Sequence, residues 1–117
     1  MLKVKIGAIY KISIGEYYYV GLSSDVGGRW SNHLTDLHLN RHSSVKLQNM
    51  FNEFGFTSLK FEILEYISKT DVKKETGLKG KEFETYYRKL LLKKEKLHMN
   101  MYSVNFSLNS QNKSFNK

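Results

Sequence analysis

Cysteine and proline are both absent from this chain of 117 residues. Without cysteine the chain forms no disulfide and offers no thiolate to a metal ion, which excludes a cysteine-ligated zinc finger. No apolar run approaches the roughly 18 residues of a membrane-spanning helix, and the first residues do not resemble a signal peptide. We therefore expect a soluble, intracellular (cytoplasmic) protein with no membrane partner.

Positive charge and aromatic side chains are abundant instead. The 19 Lys and Arg against 11 Asp and Glu give a net charge of +8, and the chain holds 8 Tyr, 7 Phe and 1 Trp. A hydrophobic fraction of 40% predicts a folded chain, and the length predicts one domain. A charge of this size favours a polyanionic partner, with nucleic acid ahead of a membrane surface.

Residues 7–21 predict a β-hairpin that brings two tyrosines together. Apolar side chains alternate in both halves, which places Tyr10 and Tyr19 on one face of the sheet. If Ile14 and Gly15 form a two-residue loop, Tyr10 pairs directly with Tyr19, with the two Cβ atoms about 5 Å apart. Such a pair is either a shared functional patch of two phenols or an ordinary cross-strand aromatic contact.

The rest of the pattern predicts a small antiparallel sheet covered by three helices, an α+β domain. Strands are expected over residues 2–13, 16–22 and 59–67, and helices over about 25–40, 44–54 and 81–96. Residues 68–80 are polar and rich in lysine, which is typical of a loop or a frayed helix start. We expect the domain to span residues 1–108 and a polar flexible tail or linker stub to span 109–117.

Two tripeptides of the hairpin resemble the paired motif of the GIY-YIG nuclease family. They are Ala8-Ile9-Tyr10 and Tyr19-Val20-Gly21, with alanine replacing the first glycine and valine the second isoleucine. The likeness continues in the family's order through Arg29-Trp30, His33, residues 42–55, residues 61–65 and Glu84. The likeness covers about residues 5–108. Within the family, the sequence is similar to the intron-encoded homing endonucleases of phages.

The resemblance implies a three-stranded antiparallel sheet flanked by helices, and a DNA endonuclease that hydrolyses phosphodiesters with one divalent ion, Mg²⁺ or Mn²⁺. By position, Tyr10 is the candidate general base, directly or through a water, and Tyr19 orients the water or the scissile phosphate. Arg29 stabilises the developing charge, and Glu84 holds the metal. Because an unperturbed tyrosine has a pKa of about 10, we expect either that Arg29 and the metal lower the pKa of Tyr10 or that Tyr10 acts through a metal-bound water.

Further matches have less settled roles in the family. His33 is placed with the catalytic residues, whereas His42 and Lys46 are expected to bind nucleic acid or support the site. Asn100, between two methionines just past the third helix, takes the place of a family asparagine, and Asn105 is the second candidate.

These residues also have purely structural explanations. Arg29 and His33 lie i, i+4 beside the apolar stripe of their helix, which is common for a solvated face, and Glu84 is spaced to pair with Arg88. The first hypothesis is a metal-dependent DNA endonuclease of the homing type. The alternatives are a catalytically weak or inactive nuclease-fold module that binds nucleic acid, and a basic structural protein. For a homing enzyme, we expect either that a separate sequence-reading domain or a partner protein recognises the target, or that the domain cuts with little specificity.

Overall fold

The computed structural model describes residues 6–102 and residue 107. Within that part of the chain, β1 (Ala8–Ile14), β2 (Tyr17–Ser23) and β3 (Leu59–Tyr66) form an antiparallel sheet in the order β2-β1-β3. The helices are α1 (Val26–His38), α2 (Val45–Phe54), α3 (Lys69–Thr76) and α4 (Gly80–Met99), with a 3-10 turn at Phe56–Ser58. The predicted α+β class and three-stranded sheet are confirmed.

The hairpin forms as predicted, but with a different register. Its loop residues are Gly15 and Glu16, so that Tyr10 pairs with Gly21 rather than with Tyr19. Gly15 takes a φ of 61°, which glycine adopts without strain at the first position of a two-residue loop. The predicted direct pairing of the two tyrosines is therefore wrong. Because the partner of Tyr10 moves by two residues, both tyrosines nevertheless stay on the same face.

Helices cover both faces of the sheet, and β1 is consequently buried on both sides. Its even-numbered residues, including Tyr10, pack with α1 and α2 through Val26, Leu37 and Leu47. Ile9 and two β2 residues on the other face pack with α3 and α4, whose buried side chains are Val72, Phe83, Tyr87 and Leu91. The last three are spaced four residues apart, which places them on one face of a helix.

Side-chain caps begin three of the four helices. The Asp25 carboxylate accepts a hydrogen bond from the Gly28 amide, and the Ser44 hydroxyl accepts one from the Leu47 amide. Such caps satisfy amides that have no partner inside the helix. They fix α1 and α2 close to their predicted starts.

The segment after β3 contains a helix that the sequence pattern did not clearly predict. The Ser68 hydroxyl caps the Asp71 amide to begin α3, and Gly77, with a φ of 72°, ends it. Only Val72 is buried along these two turns. A single buried side chain leaves almost no helical periodicity, which is why the segment resembles a loop in sequence.

Several predictions concern residues outside the described ranges, namely the start of the first strand, Asn105 and the tail at 109–117. Ser107 is described, and it forms an isolated parallel bridge with Tyr18 of β2. None of the helices described here is both long and apolar enough to cross a bilayer.

Candidate active site

Tyr10 and Tyr19 lie side by side on the face of the hairpin that packs toward α1. The ring centroids of Tyr10 and Tyr19 are 6.4 Å apart. The Tyr10 ring lies across Gly21, where a Cβ atom would come within 2.4 Å of the Tyr10 ring and hydroxyl. The glycine that ends the second tripeptide is therefore required because it makes room for the phenol of the first.

Helix α1 adds a guanidinium and an imidazole to the two phenols. Arg29, the fourth residue of α1, lines the same cleft as the two phenols, and its positive charge lowers the pKa of the Tyr10 and Tyr19 hydroxyls. His33, one turn later, places Nε2 2.6 Å from the Tyr10 hydroxyl oxygen. His33 is buried, so it does not lie on a solvated helix face.

A second buried histidine continues the hydrogen bonds away from the phenols. His42 Nε2 lies 2.7 Å from His33 Nδ1, and the Ser44 amide donates to His42 Nδ1 over 2.9 Å. Gln48, on the first turns of α2, accepts from the His42 amide and donates to the Leu37 carbonyl. Through these two hydrogen bonds Gln48 links the loop between α1 and α2 to the C-terminal end of α1. Gln48 lies within the stretch that resembles the family, residues 42–55, but the sequence did not predict its role in the site.

The two tyrosines line a cleft of about 380 Å³ along the β2 edge, in which Tyr10 is fully buried and Tyr19 is partly exposed. Helix α4 forms the opposite wall through side chains at i, i+4 and i+7. The lining residues are Tyr10, Tyr19, Gly21, Leu22, Arg29, Arg88, Leu92 and Glu95. Arg88 and Glu95 were not predicted as site residues, although their helical spacing places them on one face with Glu84.

Burial dominates the protonation of this site. It raises the pKa of Tyr10 well above the usual value, the neighbouring Tyr19 raises it further, and Arg29 opposes both effects. Burial also raises the pKa of the Glu95 carboxyl, and the positive charge of Arg29 opposes that shift. For His33, burial, His42 and Arg29 lower the pKa to about 4. Near neutral pH the free protein therefore presents a neutral phenol and a neutral imidazole.

The other predicted residues lie away from this cleft. Glu84 is exposed and forms an ion pair with Lys69 of α3, with 3.4 Å between Nζ and Oε1. Lys46 is exposed on the first turn of α2, and Asn100 is the exposed C-cap of α4. The structure thus brings together Tyr10, Tyr19, Arg29, His33 and His42, and it does not bring Glu84, Lys46 or Asn100 to them.

A three-stranded antiparallel sheet flanked by helices, with Tyr10, Tyr19 and Arg29 at one cleft, is the arrangement that the sequence resemblance implied for a nuclease catalytic domain. The GIY-YIG catalytic domain family matches residues 8–98. The chain therefore belongs to this family, which confirms the resemblance seen in the two tripeptides.

Individual relatives agree with the family assignment. Intron-associated endonuclease 1 of Enterobacteria phage T4 is 43% identical over 49 residues, 40% of this chain and 20% of that protein. The catalytic domain of the homing endonuclease I-TevI is similar in structure, with a TM-score of 0.66 and 27% identity over 89% of this chain and 97% of that one. A variant of the I-TevI domain matches 59% of this chain and 75% of its own at 35% identity and a TM-score of 0.50. The matched stretch of 49 residues thus spans a fifth of the phage protein, whereas the structural match covers nearly all of the solved catalytic domain.

Proposed function

We propose that this chain is the catalytic domain of a homing-type DNA endonuclease that hydrolyses phosphodiester bonds with the help of one divalent ion. The observation that carries the proposal is the meeting of Tyr10, Tyr19, Arg29 and His33 at one cleft. Family membership and a net charge of +8 support DNA as the substrate. A separate domain or a partner protein would read the target sequence.

Arginine and tyrosine have distinct tasks in this proposal. Arg29 and Arg88 lie on opposite walls of the cleft, where planar guanidinium groups can hold phosphate oxygens and stabilise charge that develops on them. Tyr19 orients the phosphate or the attacking water. Tyr10 first loses its own phenolic proton to solvent on the cleft side, and the phenolate then accepts the proton of the attacking water, directly or through a second water.

Activation of Tyr10 needs more positive charge than the protein alone provides. Arg29 lowers the pKa of Tyr10, but burial and Tyr19 raise it by more, so the phenol stays protonated in the free protein. If arginine and metal together lower the pKa of Tyr10, the larger part of that shift must therefore come from the metal. A base whose pKa lies near the working pH is the more effective one.

The residues of the cleft fit a divalent ion. Among the described residues, no group of three or more histidines and carboxylates is arranged to hold a metal. Mg²⁺ keeps several waters, however, and one or two carboxylates suffice. When bound, such an ion supplies positive charge for the phosphate oxygens and for the departing oxygen. Glu95 offers a carboxylate at the cleft itself, whereas Glu84, the ligand implied by the family motif, offers one outside it.

A plasmid-cleavage assay tests both the activity and the choice of carboxylate. Purified protein is incubated with supercoiled plasmid in Mg²⁺, Mn²⁺ or EDTA, and the assay is repeated with Glu95→Gln, Glu84→Gln and Arg29→Ala. We expect metal-dependent nicking or linearisation, a loss of about 100-fold in Arg29→Ala, and a far larger loss in Glu95→Gln than in Glu84→Gln.

The outcomes are separable. Binding of Mn²⁺, measured by electron paramagnetic resonance of the free ion, should weaken in Glu95→Gln only. Loss of cleavage and of Mn²⁺ binding in Glu84→Gln alone would instead identify Glu84 as the metal ligand. DNA binding without cleavage under every condition would instead support the non-cutting module.

A further inference from the structure

The hydrogen bonds behind Tyr10 form a chain with only one consistent direction. It runs from the Ser44 amide through His42 and His33 to the Tyr10 hydroxyl, with steps of 2.9, 2.7 and 2.6 Å. We propose that the Ser44 amide fixes the tautomers of both histidines, so that His33 donates to the Tyr10 oxygen and the phenolic proton points toward the cleft. The functional part of this inference rests on the proposed nuclease function, whereas the tautomers do not.

The direction of these hydrogen bonds follows from the Ser44 amide, because it is the one group in the series that cannot exchange the role of donor for that of acceptor. A backbone amide only donates, so His42 Nδ1 must be the acceptor of the Ser44 amide and carries no proton. A neutral imidazole has its proton on one nitrogen, which for His42 is then Nε2. That proton faces His33 Nδ1. His33 Nδ1 is consequently an acceptor, and His33 carries its own proton on Nε2, facing Tyr10.

The opposite direction is excluded by the same geometry. If Tyr10 donated to His33, each imidazole would carry its proton on Nδ1, and the proton of His42 would face the Ser44 amide proton across 2.9 Å. A second proton on either ring would likewise bring two hydrogen-bond donors face to face. Burial also disfavours a charged imidazole here, because the Tyr19 ring covers both imidazoles, with centroids 5.3 and 5.9 Å away. The charged groups that face the pair are Arg29 and Asp36, both on α1.

The consequence for Tyr10 is that its oxygen receives a donor, His33 Nε2, before any substrate arrives. The single phenolic proton is left for an acceptor on the cleft side, such as a water or a phosphate oxygen. Once that proton has gone, the His33 donor and the nearby positive charge of Arg29 stabilise the phenolate. His33 and His42 are then positioning residues, which act on the reaction through Tyr10.

Nitrogen-15 NMR of histidine-labelled protein tests the tautomers directly, without DNA or metal. At pH 7 we expect both His33 and His42 to show a protonated Nε2 and an unprotonated Nδ1. Exposed His38, assigned through His38→Gln, is the internal reference. A proton on Nδ1 of either buried histidine would overturn the proposal.

Two variants of His42 separate its role in the chain from its role in packing. His42→Gln keeps an N–H that can reach His33 Nδ1, whereas His42→Phe fills the space without a donor. We expect His33 to keep its tautomer in His42→Gln and to populate both tautomers in His42→Phe, where kcat falls about tenfold with KM unchanged. An unchanged His33 tautomer in His42→Phe, or an equal change in both variants, would contradict the proposal. Because the NMR readout needs no cleavage, a protein that did not cut DNA would still confirm or overturn it.

Discussion

At the scale of single residues, the close approach of Tyr10 to Gly21 explains why a strand interior contains a glycine at all. Glycine in a strand gives up side-chain packing and costs conformational entropy. Here that loss is offset because the Tyr10 ring occupies the space of the absent side chain, with ring atoms 2.4 Å from the position of a Cβ. The same placement lets the hydroxyl reach His33 Nε2 at 2.6 Å.

Gly21→Ala should therefore damage both stability and function. The added methyl group forces the Tyr10 ring to move, and overpacking of this kind costs about 1–3 kcal/mol of unfolding free energy. The shift also separates the hydroxyl from His33. We expect a lower urea midpoint and cleavage that falls by more than the unfolded fraction explains.

Gly27→Ala is the matched control. A Cβ at Gly27 meets nothing closer than 4.0 Å, and alanine in place of an exposed helical glycine stabilises by up to about 1 kcal/mol. A stable Gly27→Ala protein that no longer cleaves would show that a phosphate approaches the backbone of α1 there. A Gly21→Ala protein as stable and active as the wild type would contradict the close packing of Tyr10.

The buried histidines predict how stability depends on pH. The pKa of His33 is lowered to about 4 and that of His42 is lowered as well, so the unfolded chain binds more protons than the folded one below the ordinary pKa of about 6.5. The folded state is then fully stable with respect to His33 above pH 6.5 and loses stability as the pH falls toward 4. The loss is at most about 1.4 kcal/mol per pH unit for each histidine.

Urea titrations at pH 7 and pH 5 measure this effect. Glu95 acts in the opposite direction because its buried carboxyl has a raised pKa, so the contribution of His33 is taken from the difference between wild type and His33→Gln. We expect the variant to be less stable at pH 7 but to lose less stability on acidification. Equal pH dependence of wild type, His33→Gln and the control His38→Gln would contradict the buried neutral imidazole.

At the scale of elements, local pattern predicts which faces meet but not how far each element is shifted. Period-two alternation placed Tyr10 and Tyr19 on one face correctly, because a shift of the loop by one residue moves each strand partner by two. It could not choose between loops at 14–15 and 15–16. The positive φ of Gly15 at the first loop position decides that choice.

Helix α4 shows the same limit at the active site. The motif drew attention to Glu84 through the aromatic residues that follow it, and Glu84, Arg88, Leu92 and Glu95 do share one helical face. Which turn of that face reaches the cleft depends on how α4 crosses the sheet, and this depends on packing by distant residues such as Ile9 and Val20. The contact between His33 and His42 was likewise not predictable from spacing, since it depends on how α2 docks against α1.

At the scale of the whole molecule, the family fold, the cleft and the charge of +8 support the proposal that this domain acts on the DNA backbone. Its matched stretch corresponds to only a fifth of the phage T4 relative. Contacts to phosphates position a protein on DNA, whereas contacts to base edges specify the sequence. Specificity in this system is therefore expected to come from outside the cleft.

The salt dependence of DNA binding tests where the backbone contacts lie. Each phosphate neutralised on duplex DNA contributes about −0.9 to the slope of log K against log salt concentration. Arg88 lines the cleft on the β2 side, whereas Lys60 is exposed on β3 at the opposite edge of the sheet. Arg88→Ala should make the slope shallower by about 1 and weaken binding similarly on unrelated sequences, and Lys60→Ala should leave the slope unchanged.

Fluorescence anisotropy with a labelled duplex in EDTA, over a series of salt concentrations, measures binding without cleavage. Equal slopes for the two variants would mean that DNA does not enter along the β2 edge. That result would contradict the proposal that phosphodiester hydrolysis takes place at the cleft around Tyr10.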